Sequence, residues 1–253
     1  MSDFPEITPG QAEPPAPPNQ DVFWGYHDLF LFVLIAVPSL LVSALAVKGI
    51  FVLLHLRLEA KALELLPAQF LGYALMFLGL YFVLRVQYRR PFWRSMGFVR
   101  PPAFPAAYLV FGVGLAFLIA MLGAILRTPD VQTPLKDLLS TRTAVLAIGL
   151  VAVTIGPVSE ELIFRGLLQP LLERSTGRIA GIWLAAIPFG LLHLGEYGWS
   201  WRHGLLITCA GAAFGWMRRQ SGSTWAASIM HAGYNAALFA GYIWQGKDLP
   251  QTW

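Results

Sequence analysis

Long apolar runs alternate with short polar connections along most of the chain. The runs lie at about 29–47, 68–84, 105–126, 143–172, 179–194, 204–217 and 224–243. A helix needs roughly 20 mainly apolar residues to cross the hydrocarbon core of a bilayer, with a range of about 17–25. The pattern therefore predicts an all-α, polytopic transmembrane helical bundle of about seven or eight spans.

Residues 51–66 follow a different pattern. Leu54, Leu58 and Leu65 recur at helical spacing, and charged residues lie between them. A helix with one apolar and one charged face is typical of the membrane surface. The segment predicts an interfacial amphipathic helix, or alternatively an extension of the first span.

The apolar run at 143–172 is too long for one simple crossing. Gly156 and Pro157 interrupt it just before the charged stretch Ser159–Gly166. Because proline lacks an N–H group and clashes with the preceding turn, it kinks or ends a helix. We therefore expect a span, a break, and a second helix that carries the charges.

Composition supports a membrane protein. Of the 253 residues, 56% are hydrophobic and only 13% are charged, whereas soluble domains have about 25% charged residues. The net charge of +4 does not indicate nucleic-acid binding, because the basic residues cluster between apolar runs, where they anchor helix ends at lipid headgroups. Nine Lys and Arg residues fall on one side of a seven-span arrangement and eight on the other, so orientation stays open. The single cysteine, Cys209, excludes an intramolecular disulfide.

The N-terminal stretch differs from the remainder of the chain. Residues 1–20 contain six prolines and no Lys or Arg, which is typical of a disordered tail and not of a secretory signal. We predict a tail over 1–22 and one membrane domain over 23–253.

Few strongly polar side chains remain inside the apolar runs, and they come from three separate segments: Glu160, Glu161, Arg165, His193, His231 and Asn235. Glu161 and Arg165 are four residues apart, which lets them pair on one helix face, and His231 and Asn235 have the same spacing. Ionisable groups at membrane depth are costly unless they are paired or functional.

These residue types suit amide hydrolysis. Glu160 with His193 has the chemistry of a general base that activates water, and His231 with Asn235 can donate hydrogen bonds to a tetrahedral oxyanion. Taken singly, Glu161–Arg165 is explained by a structural ion pair and His231-x3-Asn235 by hydrogen bonding between helices. Taken together, these polar residues favour a catalytic site.

The sequence resembles a known family at these residues. Glu160-Glu161-x3-Arg165, Phe189-x3-His193 and His231-x3-Asn235 resemble the three signature motifs of the CAAX protease and bacteriocin-processing (CPBP or Abi) family, which includes the type II CAAX prenyl endopeptidase. The resemblance covers roughly residues 143–240.

The resemblance implies an intramembrane glutamic endopeptidase that needs no cofactor or metal. Glu160 would be the base, assisted by His193, while His231 and Asn235 would form the oxyanion hole. Glu161 and Arg165 would hold the geometry or help to position substrate, and Phe189 would pack beneath His193. The partners would be a membrane-associated protein or peptide substrate and the lipid bilayer. From the small size of the chain and its Pro-rich start we expect a bacterial cytoplasmic-membrane protein.

Two alternatives compete with this interpretation. Glu160, Glu161, His193 and His231 are possible ligands of a zinc ion with an open water position, although the chain has no His-Glu-x-x-His pattern. A non-proteolytic scaffold or bacteriocin-immunity protein would use the same polar cluster to bind a partner.

Overall fold

The computed structural model describes residues 22–56, 60–129 and 138–246, and every regular element in these ranges is helical. The α-helices are α1 (Tyr26–Leu53), α2 (Lys61–Phe82), α3 (Phe92–Ser95), α4 (Pro105–Ile125), α5 (Arg142–Val153), α6 (Ile155–Glu161), α7 (Gln169–Thr176), α8 (Arg178–Leu192), α9 (Trp201–Ser221) and α10 (Thr224–Gln245). π-Helical segments extend α2 over Val83–Gln87 and join α6 to α7 over Leu162–Leu168, and a 3₁₀ turn over Leu194–Tyr197 follows α8.

Four helical stretches in the described ranges are long and apolar enough to cross a membrane. They are Tyr26–Leu53, Lys61–Gln87, Pro105–Ile125 and the composite Arg142–Thr176, while Arg178–Leu192 is apolar but shorter. The chain is therefore an all-helical integral membrane protein, as its apolar pattern predicts. The sequence predicts seven or eight spans, which is more than these four helical stretches.

Helix α10 lies against α4 with almost no side chain between the two backbones. A Cβ atom on Gly112 would be 1.9 Å from the carbonyl oxygen of Met230, and one on Gly233 would be 2.5 Å from that of Leu109. Small residues allow this close approach of packed helices in membranes. Because His231 follows Met230, this contact also fixes the height of the histidine in the bundle.

The expected break in the long apolar run is present, slightly upstream of Gly156-Pro157. Thr154 leaves helical geometry, with φ −127° and ψ −86°, and separates α5 from α6. A proline at position 157 clashes with the carbonyl group four residues earlier, at Val153, so the distortion falls in the turn before the proline.

The predicted interfacial helix over 51–66 is wrong as a separate element. Residues 51–53 continue α1, the chain turns at Leu54 and His55, and residues 61–66 belong to α2. The apolar residues after Lys48 extend the first span, and His55 ends it in the left-handed region, with φ +51°. The predicted tail, except for Val22, lies outside the described residues.

Candidate active site

Glu161 is the fully buried anchor of the polar cluster. Its Oε1 atom lies 3.0 Å from Arg165 Nη1 and 3.0 Å from His231 Nδ1, and its side chain is 0% exposed. Arg165 Nη2 also donates to the carbonyl oxygen of Gly211, at 2.6 Å. The predicted Glu161–Arg165 pair is thus present, and it ties α6 to α9 and α10.

Glu160 points in a different direction from its neighbour and makes no short contact to a base. Its Oε2 atom lies 4.0 Å from His193 Nε2 and 3.8 Å from His231 Nε2, with 26% of the side chain exposed. Both distances exceed a direct hydrogen bond. One carboxylate oxygen therefore faces two imidazole rings from two other helices across a narrow gap.

The orientation of His193 follows from its backbone contact. Its Nδ1 atom lies 2.7 Å from the carbonyl oxygen of Phe189. A carbonyl oxygen only accepts, so Nδ1 carries the proton. The Nε2 atom of the neutral ring then presents a lone pair towards Glu160. The Phe189 ring packs against His193 at a centroid distance of 4.6 Å, where the resemblance places it.

Aromatic rings form the floor of the cluster. The Arg165 guanidinium lies over the ring of Phe189 at 4.6 Å and near that of Phe214 at 5.6 Å, and Phe214 stacks on His231 with centroids 4.4 Å apart. Cation–π contact favours a desolvated guanidinium. Sequence reasoning missed Phe214, although the small-residue spacing Gly211-x3-Gly215 around it is a signal for close helix packing.

Asn235 lies on α10 one turn after His231, but its amide is engaged elsewhere. The Nδ2 atom donates to the carbonyl oxygen of Ala152 at 2.7 Å, which attaches α10 to the end of α5 beside the break. The structure thus brings Glu160, His193 and His231 together. One N–H group of the Asn235 side chain is used in the hydrogen bond to Ala152 and not within this group.

Below Arg165, a second polar pair was not anticipated from the sequence. Gln169 Nε2 donates to Glu173 Oε1 at 2.7 Å and to the carbonyl oxygen of Gly215 at 3.0 Å. Both side chains are buried. Together with Glu161 and Arg165, four polar side chains at four-residue intervals line one face of the composite helix.

Glu196 lies three residues after His193, in the 3₁₀ turn and outside the membrane-spanning helices. Although this residue keeps contact with solvent, desolvation by surrounding protein raises the pKa of its carboxyl group. The neighbouring His193 lowers that pKa, and the charge of Glu160 raises it. Glu196 lies outside the three sequence motifs, yet it interacts electrostatically with His193 and Glu160.

A zinc site would need at least three ligand side chains close together. Within the residues that the structure describes, no group of three or more His, Cys, Asp or Glu side chains is arranged to hold a metal ion. Glu161 Oε1 is instead occupied by Arg165 and His231, and an arginine beside a carboxylate ligand is unfavourable for a cation.

Comparisons with known proteins agree with the motif resemblance. No curated protein and no solved structure matches the chain. One family model does match, that of the type II CAAX prenyl endopeptidase Rce1-like proteins, over residues 142–237. This range contains Glu160, His193 and His231, which the structure brings together from three helical segments. Residues 142–237 are therefore similar to the type II CAAX prenyl endopeptidase Rce1-like family, which is a family of proteases.

Proposed function

We propose that the protein is an intramembrane endopeptidase of the glutamic type, which cleaves a peptide bond in a membrane-associated protein or peptide. The observation that carries this proposal is the position of Glu160. Its Oε2 atom faces His193 Nε2 at 4.0 Å and His231 Nε2 at 3.8 Å, while the adjacent Glu161 is held by an arginine.

The gap between Glu160 and His193 suits a water molecule. The Glu160 carboxylate accepts hydrogen bonds, and so does Nε2 of His193, because its Nδ1 atom carries the proton. A water between them donates both of its hydrogens and directs an oxygen lone pair outwards. That is the orientation a nucleophilic water needs.

In the proposed reaction, the water oxygen attacks the scissile carbonyl carbon and Glu160 takes one of the water protons. The carbonyl oxygen becomes the oxyanion of a tetrahedral intermediate. When the C–N bond breaks, Glu160 returns the proton to the leaving nitrogen, which yields a carboxylic acid and an amine. Glu160 is then ready for a second cycle.

His231 is proposed as an oxyanion donor, and its contacts set a condition for that role. Its Nδ1 atom donates to Glu161 Oε1 at 3.0 Å, so Nε2 donates as well only when both ring nitrogens carry protons. Asn235 contributes through the amide hydrogen that does not bond to Ala152.

The test compares the termini of membrane peptides from cells that make wild-type protein or the E160Q variant. We expect at least one cleaved terminus to disappear in E160Q, with activity on that substrate reduced at least about 100-fold, a typical contribution of general-base catalysis. The matched control is E64Q, which removes an exposed carboxylate from α2 and should leave cleavage unchanged.

Two outcomes would contradict the proposal. A scaffold or immunity protein would keep its cellular role in both E160Q and H231A, with identical peptide termini. A zinc enzyme would contain stoichiometric zinc after purification and would lose cleavage in the presence of a chelator.

A further inference from the structure

A cavity of about 490 Å³ lies beside the first part of α7 and the end of α9. Along the composite helix its wall residues Gln169 and Glu173 follow Glu160 by nine and thirteen residues, which corresponds to roughly 13 and 20 Å along a helix. The polar residues in its lining include Arg90, Arg94, Glu173, Arg218 and Arg219.

The charge in this cavity is strongly unbalanced. Four arginines face one carboxylate, and Glu173 Oε1 already accepts a hydrogen bond from Gln169. In the part of the chain that the structure describes, none of the four arginines forms an ion pair with a carboxylate. Counted over the described lining residues, the cavity therefore has an excess of three positive charges.

Arg218 makes the imbalance costly. Its Nε atom is buried and has no hydrogen-bond partner, and its guanidinium passes so close to Gly97 that a Cβ atom there would be 2.2 Å from Nη2. Gly97 has φ +64°, a conformation that glycine adopts without strain. Arg218 is half-buried and no carboxylate lies within salt-bridge distance of it among the described residues. Withdrawing a cation from water without such a partner is unfavourable, and an anion in the cavity would offset that cost.

Hydrogen bonds hold the cavity walls in place without a ligand. Thr224 donates through Oγ1 to the carbonyl oxygen of Met96 at 2.6 Å and through its backbone N–H to that of Gly97 at 2.8 Å. On the other side, Arg174 Nη2 donates to the carbonyl oxygen of Trp24 at 2.9 Å. These hydrogen bonds join the backbone segments that form the cavity walls.

We infer that this cavity binds a phosphate group, carried either by the headgroup of an anionic lipid or by a soluble phosphate compound. The planar guanidinium group of arginine can donate two parallel hydrogen bonds to the oxygens of a phosphate group. The cavity volume lies in the usual range for ligand sites. The exposed Trp93 and half-buried Phe23 beside the cavity are typical of side chains at headgroup depth. The two sources share this chemistry, and binding measurements distinguish them.

The experiment uses the full-length protein in a neutral detergent, titrated with short-chain phosphatidylglycerol or phosphatidylcholine and followed by native mass spectrometry. The test variant is R94Q/R219Q, which removes two cavity charges and leaves the half-buried Arg218 in place. The control variant is R85Q/R100Q, which removes two exposed arginines outside the cavity lining. Thermal unfolding of all three proteins identifies any variant that fails to fold.

We expect wild type and R85Q/R100Q to bind phosphatidylglycerol in preference to phosphatidylcholine, and R94Q/R219Q to bind it at least about tenfold more weakly. If inorganic phosphate at millimolar concentration displaces the lipid, or binds with the same dependence on the variants, the site also takes soluble phosphate. If it does neither, the lipid headgroup is the ligand.

Equal binding by all three proteins, or equal loss in both variants, would overturn the inference. Peptide cleavage is a separate measurement, so this result does not depend on the proposed activity.

Discussion

At the scale of single residues, the two adjacent glutamates have different surroundings. Glu161 is 0% exposed and shared between Arg165 and His231, whereas Glu160 is 26% exposed and faces two rings at about 4 Å. A change at Glu161 should therefore act on stability as well as on activity. A change at Glu160 should act on activity alone.

The buried pair is tested by a double-mutant cycle. We expect R165M to destabilise the folded protein by about 3–5 kcal/mol, because it leaves the Glu161 carboxylate buried without its arginine. The E161Q/R165M variant leaves no unpaired charge at this position. Its loss of unfolding free energy should therefore be smaller, by about 1–3 kcal/mol, than the sum of the losses in the two single variants. Denaturant unfolding in detergent, followed by tryptophan fluorescence, measures all four free energies. Additive losses would show that the pair is not coupled.

Glu196 is expected to influence the pH dependence of cleavage. Its raised pKa means that it binds a proton at higher pH than a free glutamate does, and above that pKa it carries a negative charge beside the site. A general base must be unprotonated to activate water, and a nearby negative charge favours its protonation. If the proposed mechanism holds, E196Q should make that protonation harder. The acidic limb of the pH–activity profile should then move to lower pH by about 0.3–0.7 units.

The control for this measurement is E64Q, because Glu64 lies on the exposed face of α2 near its first turn. Its profile should match that of wild type. A shift of the E196Q profile to higher pH, or no shift at all, would mean that Glu196 is not electrostatically linked to the site.

At the scale of helices, much of the fold could be predicted from the sequence. The apolar runs and the proline at position 157 indicated the helices and the break, since both depend on local composition and backbone chemistry. The end of α1 was misjudged, because charged residues at helical spacing after Leu53 resemble a surface helix whether or not the backbone turns at His55. Periodicity carries no information about such a turn.

The candidate site was predictable only in part for a similar reason. Four-residue spacing was sufficient to predict the Glu161–Arg165 pair. The same spacing placed His231 and Asn235 on one face, but it did not reveal that Asn235 bonds to Ala152 on another helix. The stacking of Phe214 on His231 likewise depends on how α9 and α10 pack. Contacts between helices need the tertiary structure.

The close contact of α4 with α10 gives a test at this scale. We expect G112A to lower the unfolding free energy by about 1–3 kcal/mol, since the new methyl group overlaps the carbonyl oxygen of Met230. The rate of cleavage by G112A should also fall, because the displaced α10 carries His231. The matched control is G114A on the same helix, where a Cβ atom meets nothing within 4 Å. It should remain within about 0.5 kcal/mol of wild type.

At the scale of the whole molecule, the family match and the folded unit have different boundaries. The match covers residues 142–237, but α4 supplies the surface against which α10 packs. The N-terminal segment also contacts the composite helix, where Trp24 Nε1 donates to the carbonyl oxygen of Leu167 at 3.0 Å. The first half of the chain therefore supports the site without contributing one of its six predicted residues.

This dependence predicts how a divided chain should behave. A fragment of residues 134–253 contains all six predicted site residues but lacks α4, so α10 loses the partner that fixes His231. We expect it to have less than about 1% of wild-type cleavage, since small misplacements of catalytic groups cost about 100-fold. Fragments 1–133 and 134–253 made in the same cells should associate through the Gly112 and Gly233 contacts and recover cleavage, because packed membrane helices assemble from separate segments. The same pair with G112A should recover much less than the pair with G114A. Full cleavage by fragment 134–253 alone would show that the region matched by the family model folds and functions without the first half of the chain.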